Sequence, residues 1–353
     1  MKTTIHDEYT RVMAMLSRLT VSVPFVVMTS EKIAQIERES KSDQTLATLE
    51  RELLAKLRAV KQPEDYQQMA QAYEVYSEVC VYREMKARGI ELRRTPGTGG
   101  HQQKRPDFVH RHVSGDVYFE VKALEIAGAT ARHKKIAAEG LENAAELDTR
   151  ARKPGVHISK PHVISGHLEN ATAAECIDAT IERIGNTIKP QQIHFGPTVL
   201  VVDLGRLQGK SQGPSGLLPV FFDDKPQAES CVTGELWQIA LGLPGEHIFV
   251  HPEFAGASNI GGHQGQRGIL HEFPGLMAIT FFLPRWSDPS ELLTIWNPGW
   301  DQASLQNPCT LTEHEIESLL FDYSDGCNDK ANESAWRYHV SSLRTRPTRR
   351  TSN

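Results

Sequence analysis

Seven residues, Thr198–Leu204, read TVLVVDL. The run is almost wholly apolar and dominated by β-branched residues. A strand with that pattern must be covered on both faces, which is the situation of an interior strand in a sheet flanked by helices. Two further strands are expected at Leu276–Leu283 and Leu292–Trp296. Helical patterns alternate with these strands. The expected class is therefore α/β, a mixed β-sheet flanked by helices, with a helical N-terminal segment and a loop-rich insertion.

The 353 residues are expected to divide into five stretches. Residues 1–62 read as a helical, polar segment whose clearest helix is Ser42–Val60, broken at Lys61-Gln62-Pro63. Residues 63–204 form the core. It opens with a helix from about Glu64 to Arg88, in which Met69, Tyr73, Tyr76 and Cys80 make one core-facing stripe and Gly89 the C-cap. A short strand at Ile90–Arg94, a loop at Thr95–Arg105, and strands Asp107–Val113 and Val117–Leu124 around a Ser114-Gly115-Asp116 turn follow. Helices are expected at 130–153 and at 168–189, the second with Ile177, Ile181, Ile184 and Ile188 on one face and ended by Pro190. Residues 205–275 are rich in Gly and Pro and read as an insertion with one helix near Glu235–Leu241; residues 276–328 complete the core with two strands and a Thr312–Leu320 helix; 329–353 are a basic tail expected to lack order.

Charge and cysteine usage exclude several classes. The net charge is -5, so the chain as a whole is not a basic polyanion binder. The basic stretch between Arg83 and Arg105 nevertheless suggests a local phosphate-binding surface, with Arg93, Arg94, Lys104 and Arg105 as its candidates. The five cysteines are scattered without a CxxC pair, which argues against a disulfide framework or zinc knuckle and for the cytoplasm. No apolar run approaches the ~18 residues that span a bilayer, and the N-terminus has no signal-like apolar centre. No membrane partner is expected.

The informative chemistry is Pro106-Asp107, thirteen residues ahead of Glu120-Val121-Lys122. In Val117–Leu124 the residues Val117, Phe119 and Val121 alternate with Tyr118, Glu120 and Lys122, giving one apolar and one polar face. A turn at Ser114–Asp116 sets Asp107 opposite residue 123, beside Lys122 and diagonal to Glu120. Two carboxylates and an ammonium then converge at one end of a sheet. Close carboxylates resist joint ionisation unless a cation joins them, and Mg²⁺ is commonly held by one or two carboxylates, waters and phosphate oxygens. Glu39-Ser40-Lys41 and Glu84-Met85-Lys86 carry the same residue types but lie in helical patterns, where residues i and i+2 do not face one another.

These pieces, SEVCVYREMKARGIEL, RPDF and GDVYFEVKAL, resemble the PD-(D/E)XK nuclease superfamily over about Tyr73 to Leu124, with a looser likeness from Asn170 to Leu204. The resemblance implies a restriction-endonuclease-like core and a Mg²⁺-dependent endonuclease, with Mn²⁺ as a substitute. It implies metal ligation by Asp107, Glu120 and Val121, catalysis by Lys122, and an acid from the preceding helix, Glu78 with Glu74 as the fallback. It further implies a nucleic-acid substrate, double-stranded DNA being the expectation, a role in restriction or phage defence, and compatibility with a homodimer. Two other readings stay open: a nucleic-acid-binding module of the same fold with little catalysis, and an RNA-directed nuclease. Gly97–Gly100 lacks the Gly-Lys-Ser/Thr of a P-loop and reads as a flexible loop. His101, His110 and His112 read as surface residues and Asp203 as a strand-end cap.

Overall fold

The structure is a computed structural model that describes residues 3–16, 28–95, 105–113, 115–124, 172–205, 235–249, 260–283 and 290–297, with scattered positions elsewhere. The expected helix at 130–153, the Gly97–Gly100 loop, His101, Lys104 and the basic tail lie outside them. Two compact units are present, and the chain first passes from one to the other between Tyr82 and Arg83.

The first unit is helical: α1 (Ile5–Leu16), α2 (Ser30–Glu39), α3 (Gln44–Ala59) and most of α4 (Tyr66–Ala87). The polar sequence hides narrow apolar stripes. Leu46, Leu49, Leu53 and Leu57 recur along α3 at helical spacing and are buried, as are Ile5, Tyr9, Val12 and Leu16 of α1. Arg11 of α1 donates from Nη2 to the carbonyls of Leu57 and Val60, satisfying the end of α3. Asp43 caps the start of α3 by accepting from the Leu46 N–H, and its second carboxylate oxygen accepts from the Tyr82 hydroxyl of α4 at 2.7 Å. The single stripe expected on α4 is too narrow a description. Met69, Tyr73 and Tyr76 are buried, but so are Val75, Val79, Val81 and Met85, while Cys80 is only half-buried.

Helix α4 ends in a Schellman turn. Ile90 N–H bonds the Met85 carbonyl, Gly89 N–H bonds that of Lys86, and Gly89 holds φ +82, the left-handed conformation glycine takes at no steric cost. Because Ile90 is committed to that turn, the expected strand at Ile90–Arg94 starts later, as β1 (Leu92–Arg94). β2 (Phe108–His112) and β3 (Gly115–Ala123) follow, then α5 (Ala173–Thr187), α6 (Pro190–Ile193) and β4 (Thr198–Asp203). The insertion region holds α7 (Glu235–Leu241), β5 (His247–Phe249), β6 (Ile260–His263) and α8 (Ile269–Glu272). β7 (Leu276–Leu283), β8 (Glu291–Trp296) and the two-residue β9 (Gly326–Cys327) complete the order.

The sheet of the second unit is seven-stranded and mixed, in the order β1-β2-β3-β4-β7-β8-β9. β1, β2 and β3 run antiparallel; β3, β4 and β7 are parallel; β8 is antiparallel to β7. Every residue of β4 and of β7 is buried, as their unbroken apolar runs require. β5 and β6 pair in a separate ribbon beside α5. Helix α5 begins at a capping box, Thr172 with Glu175, and buries the expected Ile177, Ile181, Ile184 and Ile188. Pro190 does not end that helix. The chain leaves α5 at Thr187, and Pro190 occupies the first turn of α6, where its missing N–H costs nothing. Asn297, buried just past β8, donates to the Leu270 and Leu276 carbonyls and accepts from Gly299 N–H, so it ties α8, β7 and the following turn together. Among the described residues no helix is long and apolar enough to cross a membrane.

The doubly used Asp43 generates a stability prediction. Asp43→Ala removes a helix cap together with the carboxylate that accepts from the Tyr82 hydroxyl, for a loss of about 2 kcal/mol, whereas Tyr82→Phe loses about 1 kcal/mol. Thermal unfolding followed by circular dichroism should rank the melting temperatures wild type, Tyr82→Phe, Asp43→Ala; equal values for the two variants would show that the cap contributes nothing beyond the hydroxyl.

Candidate active site

The hairpin that carries the site is tighter than the sequence suggests. His112 pairs with Gly115 and Phe108 with Phe119, so Gly115 and Asp116 belong to β3 and not to the turn. Gly115 takes φ 149 at the start of that strand. Carried one step past Phe108, this register sets Asp107 opposite Glu120 and not opposite residue 123. The next step would face Val121 with Pro106, which has no N–H to give to the Val121 carbonyl. The Val121 N–H is taken instead by the Asp107 carboxylate, Oδ2 accepting at 2.9 Å. Thr95 N–H bonds the Asp107 carbonyl at 3.1 Å, so Asp107 is held from both sides.

Glu120 also departs from expectation. The face of β3 carrying Tyr118, Glu120 and Lys122 is polar in sequence, yet Tyr118 and Glu120 are buried on it. β3 is an interior strand, and the chain entering β4 covers this face. Phe195 meets the Tyr118 ring edge-on at 5.0 Å between centroids, and Gln192 of α6 donates from Nε2 to Glu120 Oε1 at 2.6 Å. Lys122, two residues on and on the same face, bonds the same Oε1 from its ammonium. Glu120 is 1% exposed, whereas the side chains of Asp107 and Lys122 are each 22% exposed. One buried carboxylate thus lies beneath a partly open carboxylate and an ammonium.

Burial pushes the Glu120 carboxyl up to about 7, the charge of Asp107 adds to the rise, and Lys122 and Gln192 oppose it. Glu120 Oε2 and Gln192 Oε1, on two side chains that bond one another, are buried and have no hydrogen-bond partner in the protein. Buried polar atoms are normally satisfied, so two bare acceptors on bonded side chains are a departure from the rule. Among the described residues no three His, Cys, Asp or Glu side chains form a group able to hold a metal ion.

The remaining candidates are placed as follows. Arg94 stands 4.0 Å from Asp107 Oδ1 and lies over the Phe108 ring at 5.4 Å. Arg93 is exposed, with Glu91 at 3.9 Å. The Arg105 guanidinium lies over the Phe195 ring at 5.3 Å. Glu78, half-buried, and Glu74, exposed, belong to the helical unit. Asp203 is buried beside Ala123, at the same end of the sheet as Lys122 but on the opposite face. Glu84 lies on α4 with Arg88 bonded to it at 3.0 Å, and Lys86 is exposed, so that tripeptide forms no strand site. Gln192 and Phe195 were not anticipated from the sequence. Their only advance signal was nearness to Pro190 and to the apolar run of β4. Comparison with protein-family models, with curated proteins and with solved structures found no match.

The raised Glu120 pKa sets a pH dependence. The folded protein holds the proton up to about 7, against 4.5 for an unperturbed side chain. Between those values the native state binds the extra proton, so this stabilisation is complete below about 4.5 and is lost as pH rises through about 7. At ~1.4 kcal/mol per unit the ceiling is roughly 3 kcal/mol. Glu120→Gln should abolish the decline in melting temperature over that window and exceed wild type at pH 8; parallel profiles would show that Glu120 titrates normally.

Proposed function

We propose that the chain is a metal-dependent endonuclease that hydrolyses phosphodiester bonds in double-stranded DNA, with a core of the PD-(D/E)XK kind and a role in restriction or phage defence. One observation carries the reading. Asp107, Glu120 and Lys122 meet at one end of the sheet, with Glu120 Oε2 buried and without a partner.

The donor set fits a hard divalent ion. Asp107 and Glu120 supply two carboxylates, enough for Mg²⁺ with waters completing its shell, and the Val121 carbonyl faces a proline that cannot bond it. Bound there, Mg²⁺ or Mn²⁺ would polarise a phosphoryl oxygen and acidify a water. Asp107 and Glu120 would hold the ion. Lys122, fixed beside Glu120, would donate to a phosphate oxygen as charge grows on it. Arg105, braced on Phe195, and the exposed Arg93 would hold the flanking backbone.

Purified protein should nick or cut circular and linear DNA with Mg²⁺ or Mn²⁺ and do nothing in EDTA. Cutting RNA alone would move the substrate class, and cutting in EDTA would remove the metal from the mechanism. Lys122→Ala should lower the cleavage rate at saturating DNA by about 100-fold or more with DNA affinity kept, because it removes an interaction made mainly in the transition state. Lys86→Ala should leave that rate within about twofold. The reverse ranking would place the active site elsewhere.

Arg93→Ala should reduce the slope of log affinity against log salt by about 0.9 for duplex DNA of any sequence. An unchanged slope would make Arg93 a solvated side chain.

A further inference from the structure

Gln192 comes from a different element than the rest of the site, and its surroundings are specific. It is the third residue of a single-turn helix started by Pro190, and it is 6% exposed. Its amide nitrogen donates to Glu120 Oε1 at 2.6 Å and lies 3.5 Å from the Arg105 carbonyl. A main-chain carbonyl only accepts, so the nitrogen is the end that faces the Arg105 carbonyl. The amide oxygen is thereby left buried with no donor, in the same network as the unpartnered Glu120 Oε2. Two acceptor oxygens, one from a carboxylate and one from an amide, are thus held in a buried setting with no protein donor.

We infer that Gln192 is a positioning residue of the cation site: its NH₂ group fixes Glu120 through Oε1, leaving Oε2 for the ion, while its own Oε1 accepts a hydrogen from a water in the ion's shell. This rests on the nuclease reading given above. A side chain that only filled space would not need both ends of its amide. A methionine would fill the same volume without burying an amide oxygen that has no donor. Partners of this kind, which hold a ligand without binding the metal directly, typically change metal affinity or activity by about 10- to 100-fold when lost.

Mn²⁺ binding distinguishes the possibilities, because it is read by electron paramagnetic resonance without turnover. Wild type, Gln192→Met and Gln192→Glu would be titrated with Mn²⁺ and assayed for DNA cleavage, with folding checked by thermal unfolding. Met conserves unbranched bulk without the amide; Glu keeps an oxygen at the same position. The expected result is a 10- to 100-fold weaker Mn²⁺ affinity for Gln192→Met, a cleavage rate that recovers part of its loss at high Mn²⁺, and unchanged DNA affinity. Gln192→Glu keeps the oxygen but loses the NH₂ that fixes Glu120, so its Mn²⁺ affinity should fall between those of wild type and Gln192→Met. If Gln192→Met folds and binds Mn²⁺ like wild type, Gln192 is a packing residue and the nuclease reading stands without it. If Gln192→Met does not fold, Gln192→Glu decides: a folded variant with wild-type Mn²⁺ affinity and wild-type cleavage rate overturns the role. If wild type itself binds no Mn²⁺, the nuclease reading fails and this role fails with it.

Discussion

The site depends on the burial of one charge. A carboxylate taken out of water and left alone would cost several kcal/mol. The neighbouring strand β4 offers Glu120 nothing, since its partner across the ladder is Leu200 and β4 is buried throughout. Compensation has to come from Lys122 on the same strand and from Gln192 on α6, and both use Oε1. They do not fully offset burial and the like charge of Asp107, which is why the carboxyl is held near neutrality. A cation would complete what the protein leaves undone.

The short stretch from 188 to 198 therefore carries more weight than its length suggests. The capping box at Thr172 fixes where α5 begins, and its exit at Thr187 leads directly into Pro190. Three residues after Gln192, Phe195 packs against Tyr118 and under Arg105. Thr198 then opens β4, its hydroxyl bonded to the Gly196 carbonyl at 2.8 Å. One connection thus covers the polar residues of β3, supplies the amide that bonds Glu120, and delivers the central parallel strand.

What was legible in the sequence follows the range of the forces involved. The long apolar runs of β4 and β7 report burial residue by residue, and both strands lie where the pattern puts them. The alternation through Tyr118, Glu120 and Lys122 correctly placed the last two on one face. It did not show that the face is covered, because cover arrives from Gln192, 72 residues further on. The hairpin register was off because turn composition alone does not say whether Gly115 closes the loop or opens the strand. Gln192 itself had no signature: a glutamine in Pro-Gln-Gln-Ile looks like any polar helix residue until a carboxylate is placed beside it.

The far half of the sheet carries a different device. Thr280 of β7 and Thr294 of β8 are cross-strand partners, buried, with hydroxyls 2.8 Å apart, and Thr294 also bonds the Ser324 hydroxyl. Slippage of β8 by two residues would preserve which side chains face inward, yet it would set Thr280 against Leu292 or Trp296 and leave buried hydroxyls unsatisfied. The apolar runs of these strands are uniform enough to pair in several ways. The threonine pair acts as an alignment key that admits one of them, and it sits on β7, the strand against which β4 pairs.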